Sequence, residues 1–300
     1  MNNSDEIKVI AIVVTYNGSR WIEKCLASLK ESTQSVHTIV IDNASKDNTV
    51  EIIREKFPEV ELIASKKNLG FGQANNVGLK KALNAKADFV FLLNQDAWID
   101  KETVENLTIA SVKNPDYGVL SPFHLNYEGS ELELYFRDYV IDQYTSDYSD
   151  QAIYSDKNLF ESSFIHAAAW LLPLDTIKCV GGFDPLFFHY GEDVDYVQRL
   201  HQKKLKIGFL TNAVVYHDAQ NPSLKNKEIN LRQKRNELII SLKNLKGSLP
   251  GVVFLFFKGL TAQLFSAKDY KTTYLDVAGI LPAILRSRIK QKKELAYLNL

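Results

Sequence analysis

Three acidic side chains fall within four positions in Gly191-Glu192-Asp193-Val194-Asp195. Like charges so close repel one another unless something compensates them, and the dipole at a helix N-terminus is one source of compensation. A neighbouring carboxylate can also raise the pKa of a carboxyl group into the range that suits a general base. The stretch therefore reads either as the acidic first turn of a helix or as a pair, Asp193 with Glu192, that takes a proton from a substrate hydroxyl. Asp96 closes an apolar run in Asn94-Gln95-Asp96. A carboxylate there suits Mg²⁺ or Mn²⁺, which favour oxygen ligands and bridge to substrate phosphates, or it serves as a turn or cap residue. His217 follows the run Ala213–Tyr216 and is either a satisfied surface group or a further ligand for such a cation. Asp42 ends another run, where it can accept hydrogen bonds from a nucleobase or ribose or cap the next helix.

These residues need a scaffold that brings them to one place. Lys8–Thr15, Val36–Asp42, Val60–Ala64 and Asp88–Leu93 are short apolar runs rich in Val, Ile and Leu, the pattern of strands buried on both faces. Between them lie helical patterns: Trp21, Cys25, Leu26 and Leu29; then Val50 to Phe57, ended by Pro58; then Ala74–Leu83. Strands alternating with helices at this spacing predict an α/β domain with a largely parallel sheet, whose ligands bind beyond the carboxyl ends of the strands. Thr15–Asn17, Asp42–Asn43, Asn68–Gly72 and Asn94–Asp96 each follow a strand and converge on one crevice. Residues 126–162, rich in Glu, Asp, Ser and Tyr with no clear period, read as an inserted loop or hairpin. Beyond it come an apolar stretch (164–172), a turn (181–185), a helix (193–200) and a strand (207–217).

Gly70-Phe71-Gly72-Gln73-Ala74-Asn75 begins like a dinucleotide fingerprint but has Asn75 at its sixth position and follows the third strand. Its glycines more simply let the backbone approach a ligand or a neighbouring strand. A P-loop, a Gly-x-Ser-x-Gly elbow and a His-Glu-x-x-His motif are all absent.

Net charge is zero but uneven: residues 1–200 hold 18 Lys and Arg against 30 Asp and Glu, and residues 201–300 hold 18 against 6. The basic end is either a solvated face or a surface that meets phosphates. Leu249–Phe265 is strongly apolar though interrupted, and the tail from Ile280 mixes apolar residues with Arg286, Arg288, Lys290, Lys292 and Lys293. Helices of that kind can lie in a membrane interface, pack on the catalytic core, or pair two chains as a homodimer. The two cysteines, Cys25 and Cys179, suit neither a disulfide framework nor a zinc motif and read as reduced core residues. The polar N-terminus predicts a cytoplasmic protein, peripheral at the inner face of the membrane if the basic helices touch it.

Taken together, the motifs from Val9 to about Asn221 resemble the family 2 glycosyltransferases of the GT-A fold, especially rhamnosyltransferase-like members. The resemblance implies a Rossmann-like catalytic domain over 1–225 and a helical extension over 226–300. Thr15, Tyr16 and Asn17 match the opening nucleotide contact, and Asp42 the residue that holds base or ribose. Asn68, Gly70 and Gln73 match a third donor-side loop. Asn94-Gln95-Asp96 takes the place of the Asp-x-Asp metal motif, with its first carboxylate missing, and His217 completes the metal site. The Glu192-Asp193 pair supplies the base. His166 and Trp170 replace a stretch that usually carries a glycine near the acceptor, where a Trp face either stacks on a sugar or, more simply, packs in the core. The implied reaction is inverting transfer from a nucleotide-diphosphate sugar, with Mn²⁺ or Mg²⁺, to a glycan or lipid-linked acceptor; nucleic acid is not an expected partner. The rivals are a nucleotidyltransferase or Rossmann dehydrogenase, which the missing glycine loop after the first strand disfavours, and a degenerate, non-catalytic sugar-nucleotide-binding module.

Overall fold

The Val- and Ile-rich runs fold as strands covered on both faces. A computed structural model describes residues 7–144, 158–219, 227–263 and 270–298. Strands β1 (Val9–Thr15), β2 (Val36–Asp42), β3 (Glu61–Ala64) and β4 (Phe89–Asn94) are mutually parallel in the order β3-β2-β1-β4. They are joined through helices α1 (Ile22–Lys30), α2 (Thr49–Lys56) and α3 (Phe71–Asn84). Side chains of a strand alternate between faces. In β1, Ile10 and Ile12 join the core that holds Leu79 and Ala82 of α3, while Val9, Ala11 and Val13 join the one that holds Ile22, Cys25 and Leu26 of α1. Because both faces are dry, the run carries no polar alternation.

The chain continues through β5 (Ala97–Ile99), α4 (Thr103–Lys113), β6 (Tyr117–Leu125), α5 (Leu134–Tyr144), β7 (Leu159–Ser162), β8 (Ala169–Pro173), α6 (Leu174–Val180), α7 (Glu192–Gln202) and β9 (Lys206–His217). Strand β8 is antiparallel between β4 and β6; β9 is parallel to β6, and β5 and β7 are antiparallel to β9. Six strands of this nine-stranded sheet thus run one way, the mostly parallel α/β architecture that the strand pattern predicts.

The described parts of 126–162 carry regular structure. Leu125 and Leu132 form a bridge, α5 follows, and β7 pairs with β9; residues 145–157 lie outside the described residues. Helix α5 places Phe136 and Val140, one turn apart, in the core.

The 225/226 boundary falls outside the described residues. Beyond it, α8 (Lys227–Lys243), α9 (Leu249–Gln263), α10 (Lys271–Gly279) and α11 (Leu281–Lys290) close a small core of Ile239, Leu242, Phe256, Tyr274, Val277 and Ile284 around Phe187 of the preceding domain. They also insert a charge. Lys243 is 1% exposed and its Nζ donates to both Asp184 Oδ2 and Asp195 Oδ1. Arg199 Nε donates to Asp195 Oδ2 at 2.9 Å, and its Nη1 and Nη2 to the carbonyls of Val180 and Gly182 at 2.7 and 2.8 Å. Ser287 donates to Asp184. Two carboxylates, two cations and their hydrogen bonds close a neutral cluster. Burial acts to raise the Asp184 pKa, but Lys243 and Ser287 hold it below the usual value.

Removing one partner leaves uncompensated buried charge. Lys243→Met is expected to destabilise the fold by roughly 3–5 kcal/mol. Adding Asp184→Asn to it should restore part of that loss, read by urea unfolding of both variants.

Candidate active site at the carboxyl edge of the sheet

The loops that leave β1, β2 and β4 and the loop that enters α3 are tied to one another by side-chain clamps. Gln95 accepts the Tyr16 N–H at 2.9 Å and donates to the Tyr16 carbonyl at 3.2 Å, taking the space a Cβ on Gly18 would fill. Thr15 donates to Asp42 Oδ1 at 2.9 Å, and the Ser45 N–H donates to Asp42 Oδ2 at 3.0 Å. Asp42 is buried and organises the turn behind β2 rather than capping α2, which starts after Asn48. Asn17 exchanges hydrogen bonds with this turn: its N–H donates to Ser45 Oγ at 2.9 Å and its Oδ1 accepts the Lys46 N–H at 2.8 Å. Asn17 and Ala44 have φ of 50° and 64°, a conformation such residues hold only where the surroundings enforce it. The Tyr16 ring is left open at the rim.

Asn43 joins this group to the next. Its Oδ1 accepts the Leu69 N–H at 3.0 Å and its Nδ2 donates to the Gly70 carbonyl at 3.2 Å. Asn68 accepts the Gly70 N–H at 2.8 Å, and Gln73 donates to the Leu69 carbonyl at 3.2 Å. The glycines permit close approach, as their type implies, but to the loop before α7. A Cβ on Gly70, whose φ is 79°, would lie 2.1 Å from the Phe188 carbonyl oxygen, and one on Gly72 would lie 2.8 Å from the Phe183 Cβ. Asn76 completes the junction with reciprocal 2.8 Å hydrogen bonds to the Phe183 backbone.

That loop delivers the three carboxylates of α7, which the structure divides. Asp195 points into the ionic cluster. Glu192 and Asp193 have no basic partner among the described residues. Burial, reinforced by the Asp193 charge, pushes the Glu192 carboxyl up to about 8, and its buried Oε2 has no hydrogen-bond partner. Burial also raises Asp193, against the opposing N–H groups of Val194, at 2.8 Å from Oδ1, and Ala167. Tyr190, which has φ of 68°, precedes the pair. Burial raises its phenol, with Arg232 opposing and the charges of Glu192 and Asp96 adding, so it stands within electrostatic reach of both.

Asp96 is 26% exposed at the end of this edge, and its Oδ1 lies 3.4 Å from His217 Nε2. Burial alone would lower the His217 imidazole, but Asp96, Glu133 and Asp218 raise it above its usual value. A carboxylate with an imidazole beside it is a donor pair compatible with a divalent cation. Trp170 requires a correction: it is 0% exposed in β8, between Phe183 and Tyr196, so neither face can stack on a sugar. Alternation in β8 turns it into the core. His166 does lie at this edge, with its ring stacked on His217 at 5.7 Å. Two further residues, His124 and Glu133, gather here with His166 and His217; one candidate ligand atom from each lies within 4.8 Å of the others. No sequence spacing announces them, since they come from four separate segments.

A family model described as glycosyl transferase family 2 matches residues 10–168. Among individual proteins, the chain is 25% identical over 280 residues to the SPbeta prophage-derived glycosyltransferase SunS of Bacillus subtilis, covering 91% of this chain and 53% of SunS. It therefore spans about half the length of that relative. It is also 25% identical over 238 residues to the N-acetylglucosaminyl-diphospho-decaprenol L-rhamnosyltransferase of Mycobacterium tuberculosis, covering 71% of this chain and 76% of that one. Among solved structures, the mannosyltransferase PcManGT from Pyrobaculum calidifontis, in complex with GDP-Man and Mn²⁺, superposes with a TM-score of 0.58 at 17% identity over 97% of this chain and 84% of that one, a likeness of fold.

The raised Glu192 pKa sets a pH dependence. A carboxyl that titrates near 8 when folded and 4.5 when unfolded contributes stability below about pH 4.5 and loses it as pH rises through 8. Glu192→Gln, which cannot ionise, should match the wild type in melting temperature at pH 4.5 and exceed it increasingly up to pH 9. Parallel melting curves across that range would show that Glu192 ionises freely.

Proposed function

The chain belongs to glycosyl transferase family 2, and from the geometry of its carboxyl edge we propose that it transfers a sugar, with inversion, from a nucleotide-diphosphate sugar to a hydroxyl of a glycan or lipid-linked acceptor. One observation supports this reading: among the described residues Glu192 and Asp193 have no counter-cation, beside an edge where Asp96 is part-exposed and the buried Asp42 organises the turn after β2. The N-acetylglucosaminyl-diphospho-decaprenol rhamnosyltransferase supports rhamnose as the sugar and surface polysaccharide synthesis as the setting.

In this reading the open Tyr16 ring and the Thr15–Asn17 and Asp42–Ser45 turns hold the nucleoside, while Asn68, Gly70, Gln73 and Asn94 line the path of the diphosphate and sugar. Asp96, with His217 beside it, would hold a divalent cation, which when bound offsets the charge that grows on the departing diphosphate. Asp193 takes the proton of the acceptor hydroxyl. The acceptor oxygen then bonds to the anomeric carbon as the bond from that carbon to the diphosphate breaks, and the proton stays on the Asp193 carboxyl until solvent removes it. Glu192, buried and protonated over much of the neutral range, limits the charge beside Asp193. A second reading, a non-catalytic sugar-nucleotide-binding module, draws on Asn94, which stands where the family has its first metal carboxylate.

The lipid-linked acceptor and a peripheral position on the inner membrane face rest on the C-terminal helices. No helix among the described residues is long and apolar enough to cross a membrane. Yet α9 exposes Phe254 at 66%, Leu255 at 63% and also Phe257, beside Lys258. Apolar and basic groups together suit an anionic lipid interface.

Asp193→Asn should lower turnover by about 10²–10⁴-fold. It should leave intact the melting-temperature rise produced by the cognate donor in a screen of UDP-, dTDP- and GDP-sugars with Mn²⁺. Full turnover by the variant would remove Asp193 from its role; donor binding without turnover by the wild type on any acceptor would favour the binding module. The triple change Phe254→Ser, Leu255→Ser, Phe257→Ser should abolish co-sedimentation with phosphatidylglycerol vesicles; unchanged sedimentation, or none by the wild type, would count against membrane contact.

A further inference from the structure

The buried group behind the donor edge has the composition of a transition-metal site. His124 lies on β6, Glu133 just before α5, His166 ahead of β8 and His217 at the end of β9. Three are buried, His166 is half-buried, and one candidate ligand atom from each lies within 4.8 Å of the others. Tetrahedral coordination at about 2.0–2.1 Å sets ligand atoms roughly 3.4 Å apart, so small side-chain rotations would close the set on an ion.

Each of three members is oriented through one atom while another stays unused. His124 Nε2 is 2.9 Å from Ser121 Oγ, and its Nδ1 is buried without a partner. Glu133 Oε2 accepts the Phe136 N–H at 2.8 Å, and its Oε1 is buried without a partner. His217 turns Nε2 toward Asp96 at 3.4 Å, and its Nδ1 is likewise unpartnered. Metal ligands in proteins are held in this way, by a hydrogen bond on the atom that does not bind. The His124 ring is further locked by the Phe136 ring stacked on it at 4.8 Å.

Charge points the same way. Glu133 is 1% exposed, and no Lys or Arg pairs with it among the described residues. Its ion-pair neighbour is the imidazole of His166, 3.7 Å away. A buried carboxylate with no Lys or Arg beside it is costly alone and is stabilised by a bound cation. Three nitrogens and one oxygen suit Zn²⁺, or Co²⁺ in its place, whereas Mg²⁺ and Ca²⁺ favour all-oxygen sets.

We propose that His124, Glu133, His166 and His217 form a closed, structural site for a zinc-class ion, distinct from the cation that Asp96 would hold for the donor. It would pin β6, the start of α5, the approach to β8 and the end of β9 together. With one His217 nitrogen so engaged and the other facing Asp96, the donor cation would rest on Asp96, substrate phosphates and water. This inference does not require the transferase reading.

The test loads the full chain with one equivalent of Co²⁺ or Zn²⁺, passes it over a desalting column and measures retained metal by mass spectrometry and, for Co²⁺, by its visible spectrum. The wild type should keep close to one equivalent with a tetrahedral Co²⁺ spectrum, and Asp96→Ala, which removes only the outer partner of His217, should retain more metal than either ligand variant. His124→Ala and the near-isosteric Glu133→Gln should each weaken binding at least as much as the roughly 10- to 100-fold that loss of an outer partner costs. Glu133→Gln keeps the side-chain volume, so the comparison survives if His124→Ala fails to fold. No retained metal in the wild type, an octahedral spectrum, or equal loss in Asp96→Ala and Glu133→Gln would each overturn the proposal.

Discussion

Two buried carboxylates, Asp184 and Asp195, set the condition that the rest of the molecule meets. Neither can stay ionised away from water without a cation, and the cations come from different parts of the chain: Arg199 one turn along α7, and Lys243 from the end of α8. Satisfying them ties Arg199 of α7 to the carbonyls of Val180 and Gly182, and Ser287 of α11 to Asp184. It also obliges the C-terminal helices to pack on the domain that carries the site, so the basic end of the sequence is partly a counter-charge for the acidic part rather than only a solvated surface.

The same cluster explains why the acidic run at 192–195 can exist. Asp195 is neutralised within the protein, whereas Glu192 and Asp193 have no basic partner among the described residues. Their raised pKa values follow from burial without compensation. Pairs of carboxylates held in this state are expected where a proton must be moved near neutral pH. Three of the seven non-glycine residues found at positive φ among the described residues, Asn17, Ala44 and Tyr190, lie along the same edge.

Much of this was legible in the residues. Strands β1, β2 and β4 were readable because burial on both faces makes them continuous apolar runs, and polar residues placed just after such runs must lie at one edge of a parallel sheet. The start of α3 was read three residues late, because Gly70 breaks the pattern while Phe71 already turns helically. What stayed hidden depends on contacts distant in sequence. Lys243 lies 59 residues from Asp184 and 48 from Asp195, and its charge reads like any other on a basic helix. The His124–Glu133–His166–His217 group comes from four elements with no common spacing. Trp170 could be read either as a sugar platform or as core, because an aromatic near a presumed acceptor site looks the same in sequence whether its strand turns it outward or inward; its burial selects the core reading.

The central claim is that a nucleotide diphosphate binds across the carboxyl ends of β1, β2 and β4. The most direct measurement is a crystal structure of the full chain grown with Mn²⁺ and the nucleoside diphosphate that raises its melting temperature most. The account predicts the nucleoside against Tyr16 and the Asp42 turn, the diphosphate over a cation at Asp96, and the leaving oxygen facing the Glu192–Asp193 pair. A nucleotide bound elsewhere, or a diphosphate pointing away from that pair, would contradict it.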